Sequence, residues 1–272
     1  MYEDYVHYVT HGHFDNFAKK LAIKITKYYC EKRCDELIVP TDKIKDLFIN
    51  KYNIIKQVNV IPTGIDIDKF KITPSMKKNI QTIKNKYKIK DTDFVIGSVG
   101  RIAPEKSFNK LLYNIKDMIK VNTNIKVLLV GGGPDLDNLK KLTKKLNLEN
   151  YVIFTDKIDY DLVPTYFNIF NVVVSFSKTE TQGLTIIEGL AASKPTLCIE
   201  DDSFRAMIEP NYNGYLFKND TEFKDYIFKL MNDKKLYKDM STNARNSTYK
   251  YSKEVFAADI LKVYHKAIEN KH

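Results

Sequence analysis

Five short apolar runs, at residues 94–99, 125–130, 151–154, 171–176 and 196–199, alternate with longer segments whose apolar residues recur at helical spacing. In residues 104–121, Leu111, Leu112, Ile115, Met118 and Ile119 share one face, and in residues 135–146 Leu139, Leu142 and Leu146 do. Further helical pieces fall at 162–167 and 183–195. Runs too short to be helices and apolar on both sides need cover on both faces, which parallel strands joined by helical crossovers provide. The fold class read from this pattern is α/β, with one Rossmann-like doubly wound domain of five strands. Ligands of such sheets bind at the carboxyl ends of the strands. Chemistry is therefore expected in the loops that follow each run.

The richest of those loops opens residues 177–195, SKTETQGLTIIEGLAASKP. A helix is expected to start at Gly183, behind Thr181 and Gln182, to bury Ile186, Ile187, Leu190 and Ala191, and to be ended by Pro195. Free amides and the dipole at its start make an anion site, and Gly183 admits a phosphate without a Cβ in the way. Glu180 precedes the helix and Glu188 lies on its second turn, one acid on either side of that site. Carboxylates repel phosphate, so both are expected to bind hydroxyls. After the first apolar run, Gly100, Arg101 and Lys106 bring a flexible residue and two cations to the same sheet edge. Arginine can grip a diphosphate bidentately and lysine adds a point charge. After the second run, the loop Gly131-Gly132-Gly133-Pro134 suits a tight turn and close ligand approach equally well.

In order and spacing, residues 100–106, 131–134 and 180–195 resemble the donor-site motifs of glycosyltransferase family 4, retaining enzymes of the GT-B fold that use nucleotide sugars. That resemblance implies catalytic roles for Arg101, Lys106 and Glu180, and donor contacts from Gly100, Gly132, Gly183, Leu184 and Glu188. It assigns the transferred sugar to Glu180 and the ribose hydroxyls to Glu188, so substitution of Glu180 is expected to spare free nucleotide. The family usually has Gly before Lys-Pro; Ser193 stands there in this chain and reads as neutral near a helix end. The resemblance also implies domains at 1–64 (the last part of an acceptor-side Rossmann-like domain), 65–250 (the nucleotide-sugar domain) and 251–272 (a helix returning to the first). YEDYVHYVTHGHFD is similar to the bacterial 1,2-diacylglycerol 3-glucosyltransferases, which puts Tyr5 and His7 on the acceptor side. Those relatives carry a His-Thr pair just before this segment, so about one hundred upstream residues, supplied as a separate fragment, are an expected partner. Without them the chain is expected to bind donor but transfer sugar poorly. The expected reaction moves a hexose from a nucleotide sugar, UDP-glucose before others, to a lipid acceptor such as diacylglycerol with retention; the sequence does not decide uridine against guanosine, or glucose against galactose or mannose. A cell-surface saccharide acceptor, or a nucleotide-sugar-binding fragment without catalysis, are the alternatives.

The rest of the sequence bounds partners and compartment. No long apolar window or basic-then-apolar start occurs, and Cys30, Cys34 and Cys198 lack zinc-type spacing, so a reduced cytoplasmic protein is expected. The net charge of +10 is central: Lys and Arg outnumber Asp and Glu by 17 to 7 over residues 71–150, against 11 to 10 before and 16 to 17 after. Lys77, Lys78, Lys84, Lys86, Lys140, Lys141, Lys144 and Lys145 carry much of it. A solvated face explains these lysines, and such a face favours an anionic lipid surface, by about 1 kcal/mol per nearby Lys; attachment to the inner face of the cell membrane is expected. Nucleic acid is not, since no aromatics interleave the basic runs. No metal and no cofactor are expected. His7 and His11 lack the Glu of a zinc-protease pattern, and Glu200-Asp201-Asp202 follows a strand of a domain whose Arg and Lys already serve phosphate. Helices are expected from about residue 16 to 32, burying Ala18, Leu21, Ala22, Ile25 and Tyr28 or Tyr29, and over 253–269, burying Phe256, Ile260, Val263 and Ala267 with Leu261 and Tyr264 beside them. Leu37, Ile38, Val39, Val58 and Ile61 are expected to be left exposed. NYNGYLF, residues 211–217, reads as a turn and a short extended piece.

Overall fold

A computed structural model describes residues 15–270. Tyr5, His7 and His11 lie outside these residues. The chain forms two compact units: one runs to Gly64 and resumes at Lys253, and the other is Ile65–Ser252.

The smaller unit holds α1 (Asp15–Lys32), β1 (Leu37–Val39), α2 (Asp42–Asp46) running into a π turn at Leu47–Lys51, and β2 (Val58–Val60). The two strands pair in parallel, Leu37 opposite Val58 and Val39 opposite Val60. Contrary to expectation, Leu37, Val39, Val58 and Ile61 are buried, and only Ile38 of that set faces out. Leu37, Val39 and Val58 pack with Ile44, Tyr52, Ile54, Cys30 and, from α1, Ile23. The face α1 turns inward also differs from the expected one: Leu21, Ile25, Tyr28 and Tyr29 remain 46–57% exposed. Apolar residues occupy two adjacent faces of this helix, and periodicity alone does not choose between them. The C-terminal helix, Lys253–Glu269, belongs to this unit, with Lys266 Nζ 3.1 Å from Glu36 and 2.9 Å from Gln57. It buries Val263 and half-buries Phe256, Ile260 and Ala267, while Leu261 and Tyr264 stay exposed.

The larger unit begins with a 3-10 turn at Ile67–Phe70 and α3 (Pro74–Lys86). The basic run concealed this helix, although its start is marked: Thr73 Oγ1 accepts from Met76 N at 3.2 Å and Pro74 occupies the first turn. There follow β3 (Phe94–Val99), α4 (Phe108–Met118), β4 (Ile125–Val130), α5 (Leu136–Lys145), β5 (Val152–Phe154), α6 (Val163–Ile169), β6 (Val172–Ser175), α7 (Leu184–Ala191) and β7 (Thr196–Ile199). The unit closes with α8 (Asp202–Arg205), β8 (Gly214–Phe217), α9 (Asp220–Asn232) and α10 (Lys234–Asn246). Six strands, not five, form one sheet in the order β5-β4-β3-β6-β7-β8. All pairs are parallel. The added edge strand is the NYNGYLF piece; Gly214 is needed there because a Cβ would stand 2.1 Å from Thr196 O.

Helices cover both faces, and Leu111, Leu112, Ile115, Met118, Ile186, Ile187 and Leu190 are at most 1% exposed. This burial, at roughly 25 cal/mol per Å² of apolar surface, is what holds the layers. The chain leaves β3 toward β4 and β5 and returns to β6 on the other side, so the topological switch point lies between β3 and β6.

Candidate functional site

Three loops meet at that switch point. The first leaves β3 at Gly100 and reaches Pro104–Lys106, a 3-10 turn. Ser107, at φ 53°, breaks this turn from α4, so the single helix expected over 104–121 is two pieces. The break leaves Lys106 on the loop rather than inside a helix. The second loop, Gly131-Gly132-Gly133, packs against the first: a Cβ on Gly131 would lie 2.1 Å from Gly100 O and one on Gly133 2.1 Å from Ile102 O. Ile102 N also donates to Gly132 O at 2.9 Å. Close packing of two loops thus explains the outer two glycines, whereas a Cβ on Gly132 would meet only Lys157, its side chain at 3.1 Å.

The third loop follows β6 and carries Glu180. Gly183 caps α7 in the left-handed region, φ 76°, and a Cβ there would stand 2.8 Å from the Phe204 ring. Chain direction and packing both call for glycine. The amides of Leu184 and Thr185 then open the helix with no intrahelical partner. At the other end α7 stops at Ala191, before Pro195, and Ser193 adopts φ 60°. Ser193 is therefore not neutral: a left-handed residue after a helix favours Gly, and Ser there carries strain of about 1 kcal/mol. Arg245 fixes this end of the helix, donating to Ala191 O and Ile67 O at 2.6 Å each while Nη2 bonds Asp68 at 3.0 Å.

The cleft formed by these loops is lined by Ser98, Arg101, Lys106, Ser175, Glu180 and Thr185. The structure brings Lys106 and Glu180 together as an ion pair, with side chains 27% and 18% exposed. Arg101 pairs with Glu105 on its own loop and remains half exposed. Both cations thus hold internal carboxylates. Glu188 is different: half-buried, its carboxyl has no hydrogen bond or ion pair among the described residues, and burial pushes it up to about 7. A carboxylate in that state is improved by hydroxyl donors.

The acidic run after β7 has structural partners. Asp201 caps α8 by accepting from Ser203 N at 2.9 Å, and Arg205 pairs with Glu200 at 3.1 Å and Asp202 at 3.5 Å. Sequence reasoning missed Thr185, Ser203 and Phe204. Thr185 sits on a helix already singled out, whereas nothing local marks Ser203 and Phe204, which act on residues about twenty positions earlier.

Residues 79–247 match the family described as Glycosyl transferases group 1. The chain is 35% identical to the alpha-monoglucosyldiacylglycerol synthase of Acholeplasma laidlawii, over 97% of its own length and 66% of that protein's. It is 28% identical to the synthase of the same name from Streptococcus pneumoniae, over 85% and 51%. The chain thus spans about half to two thirds of these curated relatives. Among solved structures, Anabaena Alr3699/HepE in complex with UDP and glucose superposes with a TM-score of 0.79 at 20% identity, over 90% of this chain and 66% of the other. That likeness establishes the GT-B type of α/β architecture.

Proposed function

The chain belongs to the group 1 glycosyl transferases, and on that premise we propose that it moves glucose from UDP-glucose to a diacylglycerol-type lipid, with retention of configuration. The observation that carries this reading is the convergence of Arg101, Lys106, Glu180 and the start of α7 on one cleft at the switch point of the sheet. The names of the two synthases support the acceptor and the sugar.

On this reading the donor diphosphate lies against the Leu184 and Thr185 amides, with Arg101 and Lys106 turned from Glu105 and Glu180 onto its oxygens. When the bond from sugar to phosphate breaks, negative charge grows on the leaving diphosphate. Two fixed cations and a helix start stabilise that charge without needing a metal to do so. Glu180, relieved of Lys106, turns to the sugar hydroxyls, and Glu188 accepts from the ribose. Gly100 and Gly132 let the two loop backbones approach the nucleotide. Tyr5 and His7 belong to the acceptor side on this reading.

The exposed apolar face of α1, with Lys20, Lys24 and Lys32 exposed around it, supports peripheral contact with an anionic membrane surface on the cytoplasmic side. No helix among the described residues is long and apolar enough to cross a membrane.

The test is calorimetry with UDP and UDP-glucose on the chain and on Arg101→Ala and Lys106→Ala. Each lost charge-assisted contact should weaken binding by about 1.5–3 kcal/mol. Unchanged affinity in both variants would remove the clamp, and with it the donor site.

A further inference from the structure

We propose that Ser203 is a positioning residue for Glu180, so that the segment following β7 sets the geometry of the sugar-binding acid. The inference rests on the donor-site reading above and extends it to residues that touch no donor.

Glu180 lies in a loop without helix or strand, so its carboxylate is only as well placed as its main chain. Ser203, fully buried, has its Oγ 2.5 Å from Glu180 O and 2.7 Å from Asp201 Oδ1. Its one hydroxyl proton is shared between these two acceptors. The carboxylate of Asp201 also accepts from Ser203 N at 2.9 Å, which fixes the hydroxyl before it reaches the loop. The next residue holds the far end of the same segment: the Phe204 ring, 0% exposed, occupies the space in front of Gly183. Two consecutive residues of one short turn therefore pin residues 180 and 183, which bound the stretch carrying the acid and the helix start.

The turn is itself anchored. Glu200 N donates to Phe217 O at 2.8 Å at the end of β7, and Ile208 N to Phe204 O at 2.8 Å. With its main chain held this way, Glu180 exchanges Lys106 for sugar hydroxyls by side-chain rotation alone. Without the Ser203 bond, the same exchange would require the loop to be ordered each time, which lowers the effective concentration of the carboxylate at the sugar.

The experiment compares the ratio of UDP-glucose affinity to UDP affinity, by calorimetry on the 272-residue chain, in wild type, Ser203→Ala, Ser203→Cys, Glu180→Gln and the Ser203→Ala/Glu180→Gln double variant. Cysteine fills the site with a weak donor and guards against loss of fold, which thermal unfolding checks. Both Ser203 variants should keep UDP affinity within about twofold and lower the ratio roughly threefold to tenfold, the loss of one neutral hydrogen bond. In the double variant the ratio should equal that of Glu180→Gln, since a residue that acts through Glu180 has nothing left to act on. A ratio unchanged in folded Ser203→Ala and Ser203→Cys, or losses that simply add in the double variant, overturns the positioning role. Absence of saturable UDP binding by wild type overturns instead the donor-site reading on which it rests.

Discussion

Removing the negative charge of Glu180 should make free UDP bind more tightly. Lys106 is paired with Glu180, and a diphosphate must take Lys106 away from that partner. With 27% and 18% of the two side chains exposed, the pair falls between exposed ion pairs, worth at most about 1 kcal/mol, and charge-assisted hydrogen bonds, worth about 1.5–3 kcal/mol. About 1 kcal/mol is a reasonable share, and UDP binding loses it whenever the pair must break. Glu180→Gln leaves Lys106 free of this competition, so UDP affinity should rise about fivefold, with the same sign of help from removing an acid near an incoming anion. UDP-glucose should gain less or lose, because the contact with the sugar loses its charge assistance. Calorimetric titration of wild type and Glu180→Gln with both ligands, at two salt concentrations, measures this, and the difference between the proteins should shrink at high salt. An unchanged or weaker UDP affinity in Glu180→Gln would refute the exchange of partners. The sequence alone suggested that free nucleotide would be spared; the ion pair is what changes that expectation.

Glu188, with its carboxyl pushed up to about 7 by burial, is partly protonated near neutral pH; hydroxyl donors favour its ionised form, so UDP-glucose binding should release protons between about pH 6 and 7.5. Calorimetry in buffers of different ionisation enthalpy reads that release, and Glu188→Gln should abolish it. For folding stability the sign is opposite to that of a paired acid: burying the charge carries a destabilising cost, which is absent below the unfolded value of 4.5 and grows as pH rises to about 7. Glu188→Gln should therefore flatten thermal stability across that window. Ser193→Gly, at φ 60°, should raise stability by about 0.5 kcal/mol, left-handed strain relieved less the entropy of glycine, with Tm about 1–2 °C higher in thermal melts. Leu21→Glu with Ile25→Glu on α1 should weaken flotation with anionic vesicles and leave neutral vesicles unaffected; equal binding by both proteins counts against membrane contact through this face.

The loops of the candidate site were legible because their residues are unusual for their places: two cations after one apolar run, three glycines after another, and a glycine between two acids before a helix. Such residues carry their reasons locally. Other features depended on contacts far along the chain. The face α1 buries is set by Ile23 and Cys30 meeting β1 and β2, while Leu21 and Ile25 look equally apolar in sequence. The sixth strand was hidden because Gly214 reads as a turn residue until Thr196 is seen beside it. Ser193 looked harmless until its backbone angle was known. Lys106 and Glu180, 74 residues apart, each pointed to a ligand, yet neither sequence position indicated that they pair with each other.

The way the chain divides between the two units has a consequence for its synthesis. The larger unit is one uninterrupted stretch whose ends, at Ile65 and Ser252, lie side by side, Ile65 N donating to Tyr251 O at 2.9 Å. It can fold as soon as its last strand and helices leave the ribosome. The smaller unit still lacks its C-terminal helix then, since that helix meets Gln57 across a separation of 209 residues. At ordinary translation rates roughly 10–40 s pass between the emergence of these two partners. During that interval the early strands wait without the C-terminal helix of their unit, and loop closure over so long a stretch is slow. Truncations of the last helix should therefore show first as aggregation of nascent chains, before any loss of donor binding in molecules that do fold.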